Sequence, residues 1–590
     1  MFFKFIKGDY LVIKNGKYLS KLLSVFQNRT ISKKKDSLIN LNNDLKYRRE
    51  SGIVFDNFTD RLKSRISSNY YQIILSSSGL IKSSYFDKLL WAEKKVESLK
   101  SHNINVDNND VLLSRAAYFS LKNKGMLTFG SIPLYSTFFY INKSIVWIFL
   151  ELYRTFRQSI KRLFFANNLV QSTDIMVVVS QHYQYVRLES LINTLIKDKE
   201  MSIAIITPYE VAKAHQIQST KIQYLHINRF RSFEALIQTY SLIINYWKDL
   251  KYVKNINIMF ENLKVLEALS IESFVKWHYD HINTHARTEI LAKKILLDSN
   301  PSMIYSIDGS DFWVRVFEKL AHEKDVPTYC LPFGFLDENE QNWTRRSESR
   351  YGAINKGSSQ LLKELTGSKY DVDIIGDPFY DNFHCNEAQI KELKNKIGVN
   401  DGDKIIAFSS FPTTSNKIGY TEGQYLQDEH ELMLQKVIEI SINNGYHVIV
   451  KPHPVDNNKI NSIVNNFVKK DKIHIVNDMN SLEMISISDL VIGVHSKVAF
   501  EVILLNKKYL LLQWNELPDM MKLIQYNVCQ ISYNVNDIEN KLKKSLLVPI
   551  NNNYIHNRER YIHEMYVYPY EESQNRLLKV FNSIMKSKSQ

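Results

Sequence analysis

The chain reads as an α/β protein built from two consecutive doubly wound parallel sheets, preceded by a mainly helical, basic extension. Three observations predict this. From about residue 170, short apolar runs rich in β-branched residues alternate with amphipathic helical stretches, the pattern of a parallel sheet covered on both faces. The series restarts after the polar stretch DENEQNWTRRSESR at 337–350. The basic excess is confined to the first third: residues 1–170 hold 28 Lys and Arg against 12 Asp and Glu, and the rest hold 48 against 50.

Length and composition set the frame. With 590 residues and a formal net charge of +14, the chain is too long for one core, and about three or four domains are expected. Apolar residues at 44% and charged residues at 23% exclude collagen-like, disulfide-scaffold and wholly disordered classes. Cys330, Cys385 and Cys529 lie far apart with no CxxC pair, which fits a reducing cytoplasm. Lys4, Lys7, Asp9 and Lys14 interrupt the apolar start, so no signal peptide is expected. The most apolar stretch, SIVWIFLEL at 144–152, is bracketed by Lys143 and Arg154 and falls far short of the roughly 20 residues of a spanning helix. A soluble or peripheral protein follows.

Residues 1–165 form the extension, with a polar, basic linker at 31–50. At 141–165, INKSIVWIFLELYRTFRQSIKRLFF spaces apolar and aromatic residues helically and carries Lys143, Arg154, Arg157, Lys161 and Arg162. Two readings stand: a helix packed on the next domain with a solvated basic face, or a helix lying in a membrane interface with its cations towards anionic headgroups. Residues 166–345 carry the first series of runs: DIMVVVS (174–180), SIAIIT (202–207), INIMF (256–260), MIYSI (303–307) and TYCLP (328–332). A crossover helix is expected over 185–197. Residues 346–545 carry the second: VDIIG (372–376), KIIAFSS (404–410), HVIVK (447–451), IHIV (473–476), DLVIG (489–493) and YLLLQ (509–513). Residues 546–590 read as aromatic-rich helices packing back. Open parallel sheets bind ligands at the carboxyl ends of their strands, so a cleft between the two units is the expected site.

The residues that can carry chemistry sit at such ends. Lys451-Pro452-His453-Pro454 follows HVIV directly. Two prolines fix the turn, and an ammonium and an imidazole there can both donate to phosphate oxygens. The plainer reading is a strand-end turn. In DLVIGVHSK, a strand ends at Gly493 and Val494-His495-Ser496 turns into a helix from Lys497. That helix start is a natural phosphate site, and Ser496 would hold phosphate or serve only as an N-cap. Glu501 on the same helix would accept from ribose hydroxyls or form a surface ion pair. Asp308, in SIDGSD after the MIYSI run, is a candidate general base or part of a common Asp-Gly turn. Asp371/Asp373 and Asp401/Asp403 match a metal-binding DxD but precede strands, so they read as strand-start solvation. No Walker A, GxGxxG, HExxH or zinc spacing occurs, and no metal or cofactor is implied.

KPHP at a strand end, followed some forty residues later by a DLVIGVHS turn into a glutamate-bearing helix, resembles bacterial GT-B glycosyltransferases of surface polysaccharide assembly. That group includes sialyl- and polysialyltransferases, capsule Kdo transferases and, more distantly, CDP-glycerol glycerophosphotransferases. The resemblance implies a GT-B-like pair of Rossmann-type domains: an acceptor unit over 166–345 and a nucleotide-sugar unit over 346–545. It also implies metal-independent transfer of a sugar from a CMP-, CDP- or UDP-linked donor to a glycan such as capsule or lipopolysaccharide. In it Asp308 is the base, His453 the phosphate ligand and electrostatic acid, Ser496 a second phosphate contact, with Lys451 on phosphate and Glu501 on ribose. Ile307 stands where the family's first acid lies, which makes Asp311 the substitute base. Lys497 stands where a second Ser or Thr lies and would take over phosphate contact. Ile374-Ile375-Gly376-Asp377-Pro378 resembles the family's V-x-G-x-P element, and Phe333-Gly334 replaces its His-Gly.

On the same residues, a nucleotide-sugar 2-epimerase and a non-catalytic GT-B-like scaffold are the alternatives. Partners are then a nucleotide-sugar donor and a glycan acceptor, which lipid-linking would hold at the membrane. The extension would supply peripheral contact with the inner leaflet. The Lys/Arg clusters at 32–35 and 47–49 belong to no recognised nucleic-acid module, so no nucleic-acid partner is expected.

Overall fold

The computed structural model describes residues 171–588, apart from 198, 209–215, 260–264, 308–311, 333–348, 368–370, 382–384, 412, 415–424, 454–459, 461–462, 466, 468–469, 515–518, 520, 548 and 568–571; before 171 it describes 10–13, 103–106, 127–129 and 137–164. The chain forms two compact units. The first comprises Met1–Ala353, Ser358–Asp373 and Asn575–Gln590; the second comprises Ile354–Gly357 and Ile374–Gln574.

Within the expected helical extension, the described elements are α1 (Thr137–Phe164) and three short strands that the patterning does not signal. These are β1 (Tyr10–Ile13), β2 (Asn103–Val106) and β3 (Leu127–Phe129), paired in parallel in that order. The larger sheet follows with β4 (Ile175–Val178), α2 (His182–Lys197), β5 (Ile203–Thr207), β6 (Ile222–His226), α3 (Phe233–Met259) and α4 (Val265–Ser299). It continues with β7 (Met303–Ser306), α5 (Phe312–His322), β8 (Thr328–Cys330), β9 (Arg350–Ala353), α6 (Lys356–Thr366) and β10 (Asp373–Ile374).

The seven strands stand in the order β10-β9-β8-β7-β4-β5-β6, and the pairings from β6 through β9 are parallel. Every residue of β4, β5 and β7 is buried, which is what a continuous apolar run means in a sheet covered on both sides. At the edge, β6 is only partly buried and carries Gln223 and His226. Sequence order reverses between β4 and β7, the topological switch point of a doubly wound sheet.

One expected strand is not one: residues 256–259 of INIMF are the end of α3. No Gly or Pro interrupts 233–259, so a helix once nucleated runs on through Ile256–Met259. Both DxD pairs do stand at strand starts. Arg350 clasps the two oxygens of Asp373 at 2.9 Å each, and Asp371 takes the ammonium of Lys363.

α1 is held to its unit through charge. The Glu151 carboxylate, 2% exposed, accepts from Arg154 at 2.9 Å, Arg231 at 2.6 Å and Arg287 at 3.0 Å. Thr155 is buried beside it, while Phe149, Tyr153, Phe156 and Ile160 lie exposed on the opposite side. The packed face of this helix therefore presents Glu151 and Thr155 and its apolar stripe is exposed, the reverse of the reading that packs it on the next domain with a solvated polar face. The last helix also joins this unit, where the buried Phe581 ring meets Tyr305 and Tyr329 edge-on.

The second unit runs α7 (Glu387–Lys396), β11 (Ile405–Ser409), β12 (Thr413–Thr414), β13 (Tyr425–Leu426), α8 (Gln427–Asn443), β14 (His447–Lys451) and β15 (Ile473–Ile475). It continues α9 (Ser481–Ile487), β16 (Leu490–Gly493), α10 (Lys497–Leu504), β17 (Tyr509–Leu512), β18 (Gln530–Ser532), α11 (Ile538–Leu547) and α12 (Asn552–Met565), and the last helix, α13 (Ser573–Lys588), belongs to the first unit from Asn575 on. Its six-stranded sheet has the order β15-β14-β11-β16-β17-β18, parallel at every pairing. Counted along the chain that is 3-2-1-4-5-6, with the switch point between β11 and β16. Phe408, Val437, Val450, Ile492, Leu512 and Leu542 share its core. The expected fold class, two Rossmann-type parallel α/β units, is what the chain adopts.

Candidate functional site

Register sets the site in the second unit. Ser409 at the end of β11 stands opposite Lys451 at the end of β14, and Phe408 stands opposite Ile492, one residue before Gly493. Three carboxyl ends are thus level, spread over about 10 Å at the usual strand spacing. They flank the switch point, where an open α/β sheet receives its ligand.

From β14, Lys451 carries its ammonium half-buried and donates to the Met479 carbonyl. Burial lowers its pKa, opposed by the charges of Glu483, Asp478 and Glu501. The buried Pro452 fixes the turn, and His453 follows, half-buried. From β16, Gly493 packs so closely that an added Cβ would stand 2.7 Å from the Tyr509 hydroxyl. That hydroxyl donates to the Val494 carbonyl at 2.7 Å and so orients the turn leading to Ser496. Ser496 occupies the N-cap position of α10 with extended φ −157° and ψ 166°, yet its side chain makes no capping hydrogen bond. The Ser496 hydroxyl therefore serves no helix N–H.

Next along α10, the Lys497 ammonium lies 3.0 Å from Asp377 and 5.4 Å from the centre of the Tyr380 ring. Glu501 is not a surface group: at 2% exposure it is buried, and Oε1 accepts from the Tyr380 hydroxyl at 2.9 Å. Tyr380 lies two residues beyond the IIGDP element and Asp377 within it. Gly376 there has φ +86°, and a Cβ would run into Ser573 and Val567, two reasons for glycine. Asp377 caps the following 3-10 turn, accepting from Phe379 N. Its backbone is clamped by Tyr566, whose hydroxyl donates to the Asp377 carbonyl.

Several neighbours escape sequence reasoning. Ser410, beyond β11, pairs with Nε2 of buried His430 at 2.9 Å. His495 is buried, with Nδ1 3.8 Å from Asp519. Burial lowers its pKa, against the opposing pull of Asp519, so the ring is neutral at pH 7. The Ser-Ser that ends KIIAFSS is the signal that could have found Ser409 and Ser410, by the same strand-end logic that finds KPHP. Asp377 and Tyr380 lie some 120 residues from their partners, and spacing cannot reveal them.

In the first unit, Asp308 and Asp311 lie outside the described residues, as does Phe333-Gly334. Ile307 is buried. Before it, the Ser306 hydroxyl at the end of β7 donates to buried Glu318 at 3.1 Å. Across the switch point, Gln184 accepts from the amides of Ser180 and Gln181 and from the Ser180 hydroxyl, which ties the β4 end to α2.

The CDP-glycerol:poly(glycerophosphate) glycerophosphotransferase family profile matches residues 336–516, under a third of the chain. That segment holds Asp377, Ser409, Lys451, His453, Ser496, Lys497 and Glu501. No curated protein matches the chain. Among solved structures, the wall teichoic acid polymerase TagF overlaps at 10% identity and a TM-score of 0.44, covering 75% of this chain and 98% of its own. The UDP-GlcNAc 2-epimerase of Methanocaldococcus jannaschii overlaps at 11% and 0.43, covering 70% and 99%. That of Neisseria meningitidis, bound to UDP-GlcNAc, gives 11% and 0.41, covering 70% and 100%. Overlap at this level bears on neither reaction nor substrate. What stands is a second unit whose switch-point residues lie inside a segment similar to a transferase family.

Proposed function

We propose that the chain is a transferase that takes a group from a nucleotide-activated donor and passes it to a surface-polymer acceptor. The family match supports a cytidine diphosphate as the handle. The observation that carries the reading is the pair of level turns in the second unit, Lys451–His453 and Val494–Ser496, both inside the matched segment.

In this reading Lys451 and His453 donate to the donor's phosphates, with Ser496 and the first amides of α10 on the other side. Lys497 adds a second ammonium, aimed by Asp377 and Tyr380. Glu501 is the ribose acceptor, one of its oxygens fixed by Tyr380. The acceptor hydroxyl attacks, the bond to the departing cytidine phosphate breaks, and the negative charge growing on that phosphate falls among these cations. The proton goes to Asp308, or to Asp311 in its place. A glycosyl group would leave CDP behind and a glycerophosphate group would leave CMP, so the product nucleotide identifies the group moved.

Titration calorimetry with CDP, UDP, GDP and CMP tests the first step. CDP should bind, and His453→Ala should weaken it at least about tenfold, the value of one charge-assisted contact. No binding by any of the four would leave a scaffold, and a C2-epimerised donor formed without acceptor would make the protein an epimerase. Asp308→Asn should lower turnover with donor affinity intact; if Asp311→Asn does so instead, the base is Asp311.

A further inference from the structure

We infer that the outward face of α1 rests on an anionic lipid surface. A helix at the surface of a globular protein normally turns its apolar stripe inward and its charges to water. In α1 the arrangement is reversed. Its inner face presents Glu151 and Thr155, both buried, and is held by the guanidinium groups of Arg231 and Arg287 on the Glu151 carboxylate, with Arg154 of the same helix as a third donor. Its outer face carries Phe149, Tyr153, Phe156 and Ile160 at spacings of four, three and four residues, with exposures of 67%, 62%, 56% and 37%. Leu150 and Leu152, at 44% and 38%, widen the stripe on either side. Leaving so many large side chains in water forfeits hydrophobic stabilisation that an ordinary amphipathic helix would collect.

Charge says what covers the face. Within 137–164 the only acidic residue is Glu151, and it is consumed by the arginine cluster. Arg157 is exposed along one flank of the stripe, beside the half-exposed Arg154 whose guanidinium also touches Glu151, so the only charged side chains described beside the apolar ridge are cations. The ridge is narrow and straight, spanning 149–160, or about 18 Å at the helical rise. That shape suits a helix lying in the headgroup boundary, its aromatic residues among acyl chains and its guanidinium groups on phosphates. It does not suit a span, since no described helix is long and apolar enough to cross a membrane. The inference is independent of the nucleotide reading, because no residue of α1 belongs to the proposed site.

Flotation of the full-length chain with vesicles tests it. The protein should bind equimolar phosphatidylglycerol–phosphatidylcholine vesicles and largely lose binding in molar salt. Phe149→Ser with Phe156→Ser should lower the partition constant at least about tenfold, two aromatic insertions being removed. Arg157→Ala should lower it several-fold on anionic vesicles and leave pure phosphatidylcholine unaffected. Unchanged calorimetric CDP binding and circular dichroism would show that the variants are folded. Absence of vesicle binding by the unaltered chain, or equal binding by the double variant, would overturn the inference. So would a concentration-dependent dimer that the double variant abolishes without any vesicle binding, since a second copy would then be what covers the stripe.

Discussion

Gly493→Ala probes whether the turn into α10 is as tightly determined as its geometry indicates. The new methyl would stand 2.7 Å from the Tyr509 hydroxyl oxygen and 3.4 Å from the Ser409 carbonyl oxygen. The first contact is roughly half an ångström inside ordinary packing, and the Tyr509 hydroxyl is anchored on Val494 at 2.7 Å. Residues 491–495 and Tyr509 are buried, so neither side moves freely. The strain falls in the range of an overpacked core, about 2–3 kcal/mol. Tyr509→Phe alone forfeits the hydrogen bond and leaves a buried carbonyl without it, about 1–1.5 kcal/mol. In the double variant the methyl occupies the space the hydroxyl vacates, so the two losses should fall short of additive by about 1 kcal/mol or more. Urea unfolding of the full chain and its three variants measures this. Calorimetry with CDP should show weaker binding for Gly493→Ala, because Ser496 is displaced, and partial recovery in the double variant. Strict additivity, or a Gly493→Ala variant as stable as the parent, would refute the argument.

Two further outcomes are expected. Glu151→Gln strips the compensating charge from Arg231, whose side chain is 7% exposed, and should destabilise the first unit by about 3–5 kcal/mol; a loss under about 1 kcal/mol in thermal or urea unfolding would contradict the buried cluster. His285 is fully enclosed between Trp277 and Phe312, and burial, with Lys319 and His281, holds its pKa well below 6.5. Above pH 6.5 the ring is neutral in both states and contributes no pH dependence. As pH falls below 6.5 the unfolded chain takes up a proton that the folded one refuses, so stability should drop by up to about 1.4 kcal/mol per pH unit. His285→Phe should flatten this slope in unfolding measured from pH 7 to 5.

The central strands were legible because a strand buried on both faces has no polar position. DIMVVVS, SIAIIT, KIIAFSS, HVIVK and DLVIG all locate strands within a residue or two of their observed limits. Others were missed, among them the edge strand Ile222–His226, which carries Gln223 and His226 among its apolar residues, and Arg350–Ala353, which carries an arginine and a glycine. At the candidate site, residues adjacent to strand ends could be found by sequence position, as Lys451, His453 and Ser496 were. Their supports could not. Asp377 meets Lys497, Tyr380 meets Glu501 and Tyr509 meets Val494 only through the fold. The orientation of α1 was hidden for a related reason: periodicity locates an apolar stripe but not Arg231 and Arg287, which bind the opposite face.

The path of the last forty residues has a consequence for the order of synthesis. α12 stays with the second unit, where Arg558 donates to the carbonyls of Ile503 and Leu504 at the end of α10. From Asn575 the chain belongs to the first unit, and Phe581 fills the space against Tyr305 and Tyr329, all three at or below 1% exposure. A ribosome that has finished every strand of the first sheet has therefore not yet made the side chain that closes it. That unit must wait, with two buried tyrosines uncovered, until the whole second unit has emerged. Chains cut short anywhere before residue 581, by a premature stop or by proteolysis, would present that opening to chaperones and proteases as the mark of an unfinished molecule.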